Sequence, residues 1–280
     1  MKNNDTNFSL SRALDLYRES EYSAAVSDFM TPGEKIAVYK DLTARIGNGI
    51  SGCFFWGGCR GTERCAAVFL PEWYQPESAP RHQMPSDEDR TEFFAEYLSN
   101  HPQIMEEIPL RGIKIIGSGF KTLTHRDFMG GILSLGVSRS VIGDISVISE
   151  SEAFVIVHER IAEYIVSELT KIGRDGVKTE LTALDPMFVL PRRFEENVIT
   201  VSSARLDGVV KAITGKSRET AAEMVRSGLV ELSYTATENV SADVKCGDVL
   251  SIRGFGKYVI GDVIGETKSG RLRIGLKKYV

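Results

Sequence analysis

The succession of apolar segments between Ile108 and Leu184 limits the folds open to this chain more than any other feature does. The segments alternate between the two-residue repeat of strands and the 3.6-residue repeat of helices. They predict, in order, a strand at 113–116, a helix at 125–135, strands at 142–148 and 154–158, a helix at 160–172 and a strand at 177–184. This βαββαβ order is the split βαβ arrangement.

The split βαβ order predicts a ferredoxin-like or RNA-recognition-like domain over residues 105–190, and with it an α+β fold class. RNA-recognition motifs stack bases on several aromatic side chains of their sheet. The predicted strand around 152–158 has only one aromatic residue, Phe154. Base stacking on this sheet is therefore not predicted.

The first 100 residues predict a separate N-terminal α/β module. Helices are expected at 11–29 and 33–46, and strands at 51–56 and 65–70. Thr31 and Pro32 can cap and open the second helix. Between the strands, Gly57-Gly58-Cys59-Arg60-Gly61 lacks the Gly-Lys-Ser/Thr ending of a nucleotide loop, which favours a structural hairpin turn.

Proline marks the end of this module. Six of the nine prolines lie between Pro71 and Pro109, and Gln75 to Arg90 is dominated by Pro, Ser, Glu and Asp. These residues are typical of turns and loops. The sequence predicts a linker over about 71–109.

Composition excludes several classes of protein. With 42% hydrophobic and 26% charged residues, the 280-residue chain can fold as a globular protein rather than stay disordered. No apolar run is long enough to cross a membrane, and the polar start, Met1 to Asn7, lacks the apolar core of a signal peptide. A cytoplasmic location is therefore expected.

Four cysteines are too few for a disulfide scaffold. Cys53, Cys59 and Cys65 recur every six residues, whereas zinc ligands usually pair two to four residues apart. We expect these thiols to be buried in strands, and we predict neither a metal site nor a cofactor.

His125-Arg126-Asp127 copies the start of a kinase catalytic loop, but the position of the later magnesium-binding Asn is Ile132. Thr124 as an N-cap with Asp127 three residues later predicts the beginning of a helix instead. A second interpretation, contact of these three residues with RNA, stays open. No nucleophile and base pair is evident elsewhere, so no catalytic site is predicted.

Charge is divided unevenly along the chain. Residues 201–280 hold 13 Lys and Arg against 9 Asp and Glu, whereas the other 200 residues hold 21 basic and 29 acidic side chains. A basic module on an acidic body is typical of a protein that binds a polyanion at one end.

The basic module, residues 200–280, predicts two short helices followed by strands. Leu206, Val209, Val210 and Ile213 have helical spacing, and Gly215 can end that helix. A second helix is expected from Arg218 to Arg226 behind Ser217 as its cap, and strands at 229–234, 249–253, 257–264 and 271–276. The candidate RNA-binding residues are Arg205, Lys211, Ser217, Arg218, Arg226, Arg253, Lys257, Arg271, Arg273, Lys277 and Lys278.

Ordered motifs support this prediction. They are Ser203-Ala204-Arg205-Leu206-Asp207, Ser217-Arg218, Gly228-Leu229-Val230, Gly247-Asp248 and Arg253-Gly254-Phe255-Gly256-Lys257. Together they resemble the RNA-binding domain named after ribosomal small-subunit protein four, the "S-four" domain. Ser233 occupies a position that is often Asn in that domain.

Upstream motifs narrow the resemblance. The segment from His125 to Val137, Ile142-Gly143-Asp144-Ile145 and Phe54-Phe55-Trp56-Gly57-Gly58 are similar to the bacterial YlmH family. The resemblance implies a cytoplasmic, non-catalytic protein that binds ribosomal RNA or tRNA on the large ribosomal subunit during quality control of stalled nascent chains. That family is also labelled as cell-division-related.

Two other functions remain open at the level of sequence. The S-four domain is often attached to pseudouridine synthases and methyltransferases, which makes an RNA-modifying enzyme one alternative. The acidic first 200 residues could instead serve a protein-interaction scaffold in cell division. Neither a membrane nor DNA is an expected partner.

Overall fold

The computed structural model describes residues 12–46, 52–79 and 88–279, and the chain divides into two compact units, Met1–Pro191 and Arg192–Val280. Both units combine helices with antiparallel sheets, which confirms the α+β fold class. The polar start of the chain and residues 80–87 of the predicted linker lie outside the described residues. Within the described ranges, no helix is both long and apolar enough to cross a membrane.

The first unit opens with α1, described over residues 12–19, β1 (Ala25–Val26), α2 (Pro32–Ile46), β2 (Cys53–Trp56) and β3 (Ala66–Phe69). The strands form a sheet in the order β1-β3-β2. The hairpin of β2 and β3 and the helix α2 confirm their predictions. Thr31 caps α2, because its Oγ1 accepts a hydrogen bond from the Glu34 backbone N–H at 3.3 Å.

The helix predicted over residues 11–29 is wrong beyond residue 19. The Ser20 hydroxyl donates to the Tyr17 carbonyl oxygen, and the chain turns before β1 pairs with β3. Ala25 and Phe29 are buried, but they reach the core from non-helical backbone and not from the face of a helix.

The predicted linker over 71–109 needs correction. It contains a 3₁₀ turn (Glu72–Tyr74), α3 (Glu88–Asn100) and α4 (Pro102–Glu107). Phe94 of α3 is fully buried, and its ring stacks on Phe54 with 4.1 Å between ring centroids. Pro102 lies at the first turn of α4, where proline is favourable and does not signal a loop.

The centre of the first unit holds β4 (Leu110–Gly117), α5 (His125–Leu133), β5 (Ile142–Val147), β6 (Glu152–His158), α6 (Glu159–Glu168), β7 (Lys171–Ile172) and β8 (Asp175–Thr182). The sheet order is β5-β6-β4-β8-β7. The predicted βαββαβ elements are present, with β7 added at the edge. The helix predicted to reach Ile172 ends at Glu168, since Ile172 pairs with Asp175 in a tight hairpin.

Helices α5 and α6 cover one face of this sheet, where Phe128 and Ile165 are buried with Ile113 and Val155. The other face is partly covered by the chain itself. Ile156 is fully buried there, and a Cβ on Gly58 would lie only 2.9 Å from its Cγ2. Such coverage leaves no open platform at Ile156 for base stacking.

The second unit contains β9 (Phe194–Val201), α7 (Leu206–Thr214), α8 (Arg218–Arg226), β10 (Val230–Leu232), β11 (Thr235–Ala236), β12 (Val249–Ile252), β13 (Gly256–Glu266) and β14 (Leu272–Tyr279). The sheet order is β11-β10-β12-β13-β14-β9. Strand β9 was not predicted. The strand predicted at 229–234 is broken because Ser233 and Tyr234 form a turn with φ of 47° and 66°.

Candidate nucleic-acid interface

Helices α7 and α8 lie next to each other on one face of the second unit's sheet. Leu206, Val209 and Val210 of α7 are fully buried against Ile274 and other sheet residues. Gly215 ends α7 at φ 68°, a conformation that strains residues with a Cβ, and the Ser217 hydroxyl caps α8 by accepting from the Thr220 N–H at 3.1 Å. These two signals confirm the predicted helix pair.

Asp207 joins the two helices, and the sequence analysis did not place it among the candidate RNA-binding residues. Only 6% of its side chain is exposed. Its Oδ2 accepts from Arg218 Nε at 2.9 Å, and its Oδ1 accepts from Arg205 Nε at 3.3 Å. The hydrogen bond from Arg218 of α8, a tertiary contact, makes Asp207 an internal anchor.

The electrostatics of this anchor favour its charged form. Burial alone would raise the pKa of Asp207, but hydrogen bonds and charges from Arg218 and Arg205 together lower the pKa below its ordinary value. The carboxylate therefore stays ionised and holds both guanidinium groups in fixed positions.

Arg205 and Arg218 retain donors for a further partner. Both use Nε toward Asp207, and no hydrogen bond within the described residues engages their terminal nitrogens. Lys211 on α7 and Arg226 on α8 are exposed, and Arg226 makes only a 3.9 Å contact with Glu223. Ser217, in contrast, is occupied as the cap of α8.

The basic residues of β14 lie on a different face from the helices. Ile274 and Leu276 point into the core that α7 and α8 share, and side chains alternate along a strand. Arg273 and Lys277 therefore face away from the helices. Arg271 precedes the strand by one residue, and the same alternation would place it on that face too. The predicted basic residues thus divide between two faces of this unit.

Several of the predicted strand residues already have partners in the protein. Lys277 and Lys278 lie 3.9 and 3.7 Å from carboxylate oxygens of Glu196 and Glu195 on the neighbouring β9. These contacts could not be predicted without β9. They reduce the positive charge that this edge offers to a ligand.

Lys257 and Arg253 sit at the hairpin between β12 and β13. The Lys257 ammonium lies 4.7 Å from the ring centroid of Tyr234 and 4.8 Å from that of Tyr279. It is therefore engaged by two aromatic faces. Arg253 is exposed in the turn, where Gly254 at φ 88° reverses the chain.

The segment His125-Arg126-Asp127 begins α5, as its capping pattern predicted. The Asp127 carboxylate accepts from the Thr124 N–H at 2.9 Å, and hydrogen bonds from Thr124 lower the pKa of Asp127. Asp127 is thus occupied locally, whereas His125 and Arg126 are exposed. Just upstream, Phe120 is 84% exposed beside Lys121, a feature that sequence analysis did not single out.

The cysteines of the first unit, Cys53, Cys59 and Cys65, are buried, and Cys246 of the second is exposed. Among the residues that the structure describes, no three His, Cys, Asp or Glu side chains are grouped as metal ligands would be.

The fold and its charges define an α+β protein whose smaller unit is basic and carries exposed Arg and Lys side chains on a helix pair. Residues 107–185 match the family model described as "Putative RNA-binding domain in YlmH". The chain is also 29% identical over 260 residues to "Ribosome-associated protein quality control protein P2" of Bacillus subtilis (strain 168), covering 93% of this chain and 89% of that protein. These two matches confirm the resemblance to the YlmH family that the motifs predicted.

A solved structure, "Cell division protein ylmH from Streptococcus pneumoniae", is also similar. It is 19% identical with a TM-score of 0.44, and the match covers 65% of this chain and 93% of that chain.

Proposed function

We propose that this protein is a non-catalytic RNA-binding protein whose second unit acts as an S-four type domain on ribosomal RNA or tRNA of the large ribosomal subunit. The observation that carries the proposal is the pair Arg205 and Arg218, held by Asp207, whose terminal nitrogens make no hydrogen bond to any residue that the structure describes. Lys211 and Arg226 extend this basic surface along α7 and α8. We call these four residues the helix-face cluster.

The helix-face cluster suits the backbone of structured RNA. A-form RNA hides its base edges in a narrow major groove, so proteins recognise its shape through phosphates and 2′-hydroxyls. Guanidinium groups bind phosphate with two parallel hydrogen bonds, and fixing them in advance reduces the entropy lost on binding. Arg218 and Arg226 are eight residues apart on one helix, about 12 Å, which allows contact with phosphates of the same strand.

The comparisons support RNA as the ligand and the ribosome as the place where it is bound. The family model described as a "Putative" RNA-binding domain matches residues 107–185 of the first unit, which supports RNA as a ligand of the chain, and the Bacillus subtilis relative is named for ribosome-associated protein quality control. We extend these roles to this chain as RNA binding during quality control of stalled nascent chains. The exposed Phe120 and Arg126 would add a contact from the first unit.

The test is filter binding of the full chain to large-subunit ribosomal RNA over a series of salt concentrations. The variant is Lys211→Ala plus Arg226→Ala, because neither residue supports Asp207 and folding should be retained. The matched control is Arg174→Ala plus Lys178→Ala, which removes the same charge from exposed positions outside the candidate RNA-binding residues.

We expect the helix-face variant to bind more weakly and to lower the slope of log affinity against log salt by about 0.9 for each phosphate that the protein no longer neutralises. The control should retain most of the affinity. Equal losses of affinity in the two variants would show that net charge alone explains the binding. Unchanged affinity in the helix-face variant would refute the proposal.

A further inference from the structure

A cavity of about 650 Å³ lies wholly within the first unit and plays no part in the proposed interface. Four arginines line it, Arg12, Arg64, Arg139 and Arg160, against two carboxylates, Asp28 and Glu34. Arg12 pairs with Glu19 and Arg160 with Asp28, so Arg64 and Arg139 carry the remaining positive charge of the lining, in a part of the chain where acidic side chains outnumber basic ones. Sequence patterns do not reveal it, since the arginines come from four separate segments.

Two of the arginines are fixed by main-chain oxygens. Arg64 Nε donates to the Ile142 carbonyl at 3.0 Å, and its Nη2 donates to those of Phe29 at 3.1 Å and Arg139 at 3.3 Å. Arg139 Nη1 donates to the same Ile142 oxygen at 2.7 Å. The two guanidinium groups are therefore close neighbours with restricted orientations.

Both carboxylates that line the cavity are engaged in hydrogen bonds, since Glu34 Oε2 accepts from the Thr31 N–H at 2.6 Å. Asp28 is already taken, because Arg160 Nη2 donates to its Oδ1 at 2.6 Å and the Ser140 hydroxyl donates to its Oδ2 at 2.8 Å. In the described part of the chain, no carboxylate oxygen forms an ion pair with Arg64 or Arg139. Burial, followed by the charge of Arg64, lowers the pKa of Arg139 to about 10, against the opposite effect of the nearby Asp144 and Glu34 carboxylates.

We propose that this cavity binds the phosphate group of a ligand about the size of a mononucleotide. Paired guanidinium groups match the geometry of phosphate oxygens, and the Ser138 side chain lies on the same cavity wall. Val26, Phe29 and Met30 add an apolar side against which a base can pack. The volume falls within the range of about 300–1,000 Å³ usual for small-molecule sites.

The phosphate could belong to a free nucleotide or to the end of an RNA chain, and the experiment separates these sources. Isothermal titration calorimetry of the full chain would use adenosine monophosphate, a 5′-phosphorylated triadenylate and its 5′-hydroxyl counterpart. Binding of the monophosphate alone would identify a free nucleotide as the ligand. Binding of the phosphorylated RNA, but not of the hydroxyl form, would identify an RNA end.

The variants test the arginines directly. Arg139→Gln should weaken binding by about tenfold or more, the value of one charge-assisted hydrogen bond. Arg160→Gln, at an exposed position, should also weaken binding because it leaves Asp28 without its cation and keeps the Arg64 and Arg139 hydrogen bonds intact. The matched control is Arg174→Gln, an exposed arginine outside the cavity lining.

Unchanged affinity in Arg174→Gln with weaker binding in both cavity variants is the expected result. The proposal would be overturned by failure of all three probes to bind the wild-type chain, or by binding that neither Arg139→Gln nor Arg160→Gln weakens. The arginines would then serve only to tie the segments of the first unit together. The same titrations of the Lys211→Ala plus Arg226→Ala variant separate these outcomes from RNA binding by the second unit, because that variant keeps the whole cavity lining.

Discussion

Asp207 supports two guanidinium groups although only 6% of its side chain is exposed. Arg205 and Arg218 are themselves about half exposed, so their charges can be hydrated if the carboxylate is removed. The position of the two arginines, more than their charge, therefore depends on Asp207.

Asp207→Asn should loosen the junction of α7 and α8 and weaken RNA binding. We expect a decrease of about 1–3 kcal/mol in local stability, the usual cost of disrupting hydrogen bonds to a charged group. The rates of hydrogen exchange of the α7 and α8 amides measure this loss of local stability. Glu219→Gln, an exposed acid in the first turn of α8, is the control, and equal exchange rates in the two variants would contradict the role of Asp207.

The same residue predicts an acid dependence. Because the folded state lowers the pKa of Asp207, its stabilisation is complete above an ordinary carboxyl pKa of about 4 and is lost as pH falls through the folded-state pKa. Helix protection in the wild type should therefore decline more steeply on acidification than in Asp207→Asn. Parallel acid profiles would argue against this linkage.

At the scale of secondary-structure elements, the start of α5 depends on Thr124. Its side chain accepts from the Asp127 N–H, and Asp127 accepts from the Thr124 N–H, so two donors at the helix end are satisfied together. Thr124→Ala should destabilise the first unit by about 1 kcal/mol. Both tryptophans, Trp56 and Trp73, lie in this unit, so urea unfolding followed by their fluorescence measures the change.

Thr122→Ala is the matched control for that helix cap. Thr122 is exposed, and its hydroxyl makes only a long hydrogen bond of 3.4 Å to Glu150. Destabilisation as large in Thr122→Ala as in Thr124→Ala would show that the capping geometry contributes nothing particular.

The turn between β10 and β11 predicts a stabilising change. Ser233 has φ 47°, and Asn tolerates this left-handed region better than Ser does. Asn can also replace the hydrogen bond that the Ser233 hydroxyl donates to Asp248 at 2.7 Å. Ser233→Asn should slow exchange of the β10 amides, by the equivalent of about 0.5–1 kcal/mol. Faster exchange would mean that removing the serine hydroxyl costs more than the relief of strain contributes.

Local signals explain which elements could be predicted. Capping residues and apolar spacing located α2, α5, α7 and α8, because each signal acts within a few residues. Strand β9 was missed because its partners in β14 lie 71 to 85 residues further along the chain, and Phe194-Glu195-Glu196-Asn197 has no alternation of its own. The Asp207 anchor and the arginine cavity were missed for the same reason: tertiary contacts bring their members together.

At the scale of the whole molecule, two compact units carry charge of opposite sign. Under the proposed function, the basic second unit attracts RNA phosphates, whereas net negative charge on the first unit opposes unspecific attachment. Because the helix-face cluster belongs entirely to the second unit, removing that unit should abolish most of the affinity for ribosomal particles.

Co-sedimentation with separated ribosomal subunits over a series of salt concentrations would compare the full chain with a chain ending at Pro191. We expect the full chain to sediment with the large subunit and to be released as salt increases, since counterion release drives phosphate binding. The shorter chain should remain in the supernatant while Trp56 fluorescence confirms that it is folded. Retention of full affinity by the shorter chain would move the RNA contact to the first unit, where Phe120 and Arg126 are exposed.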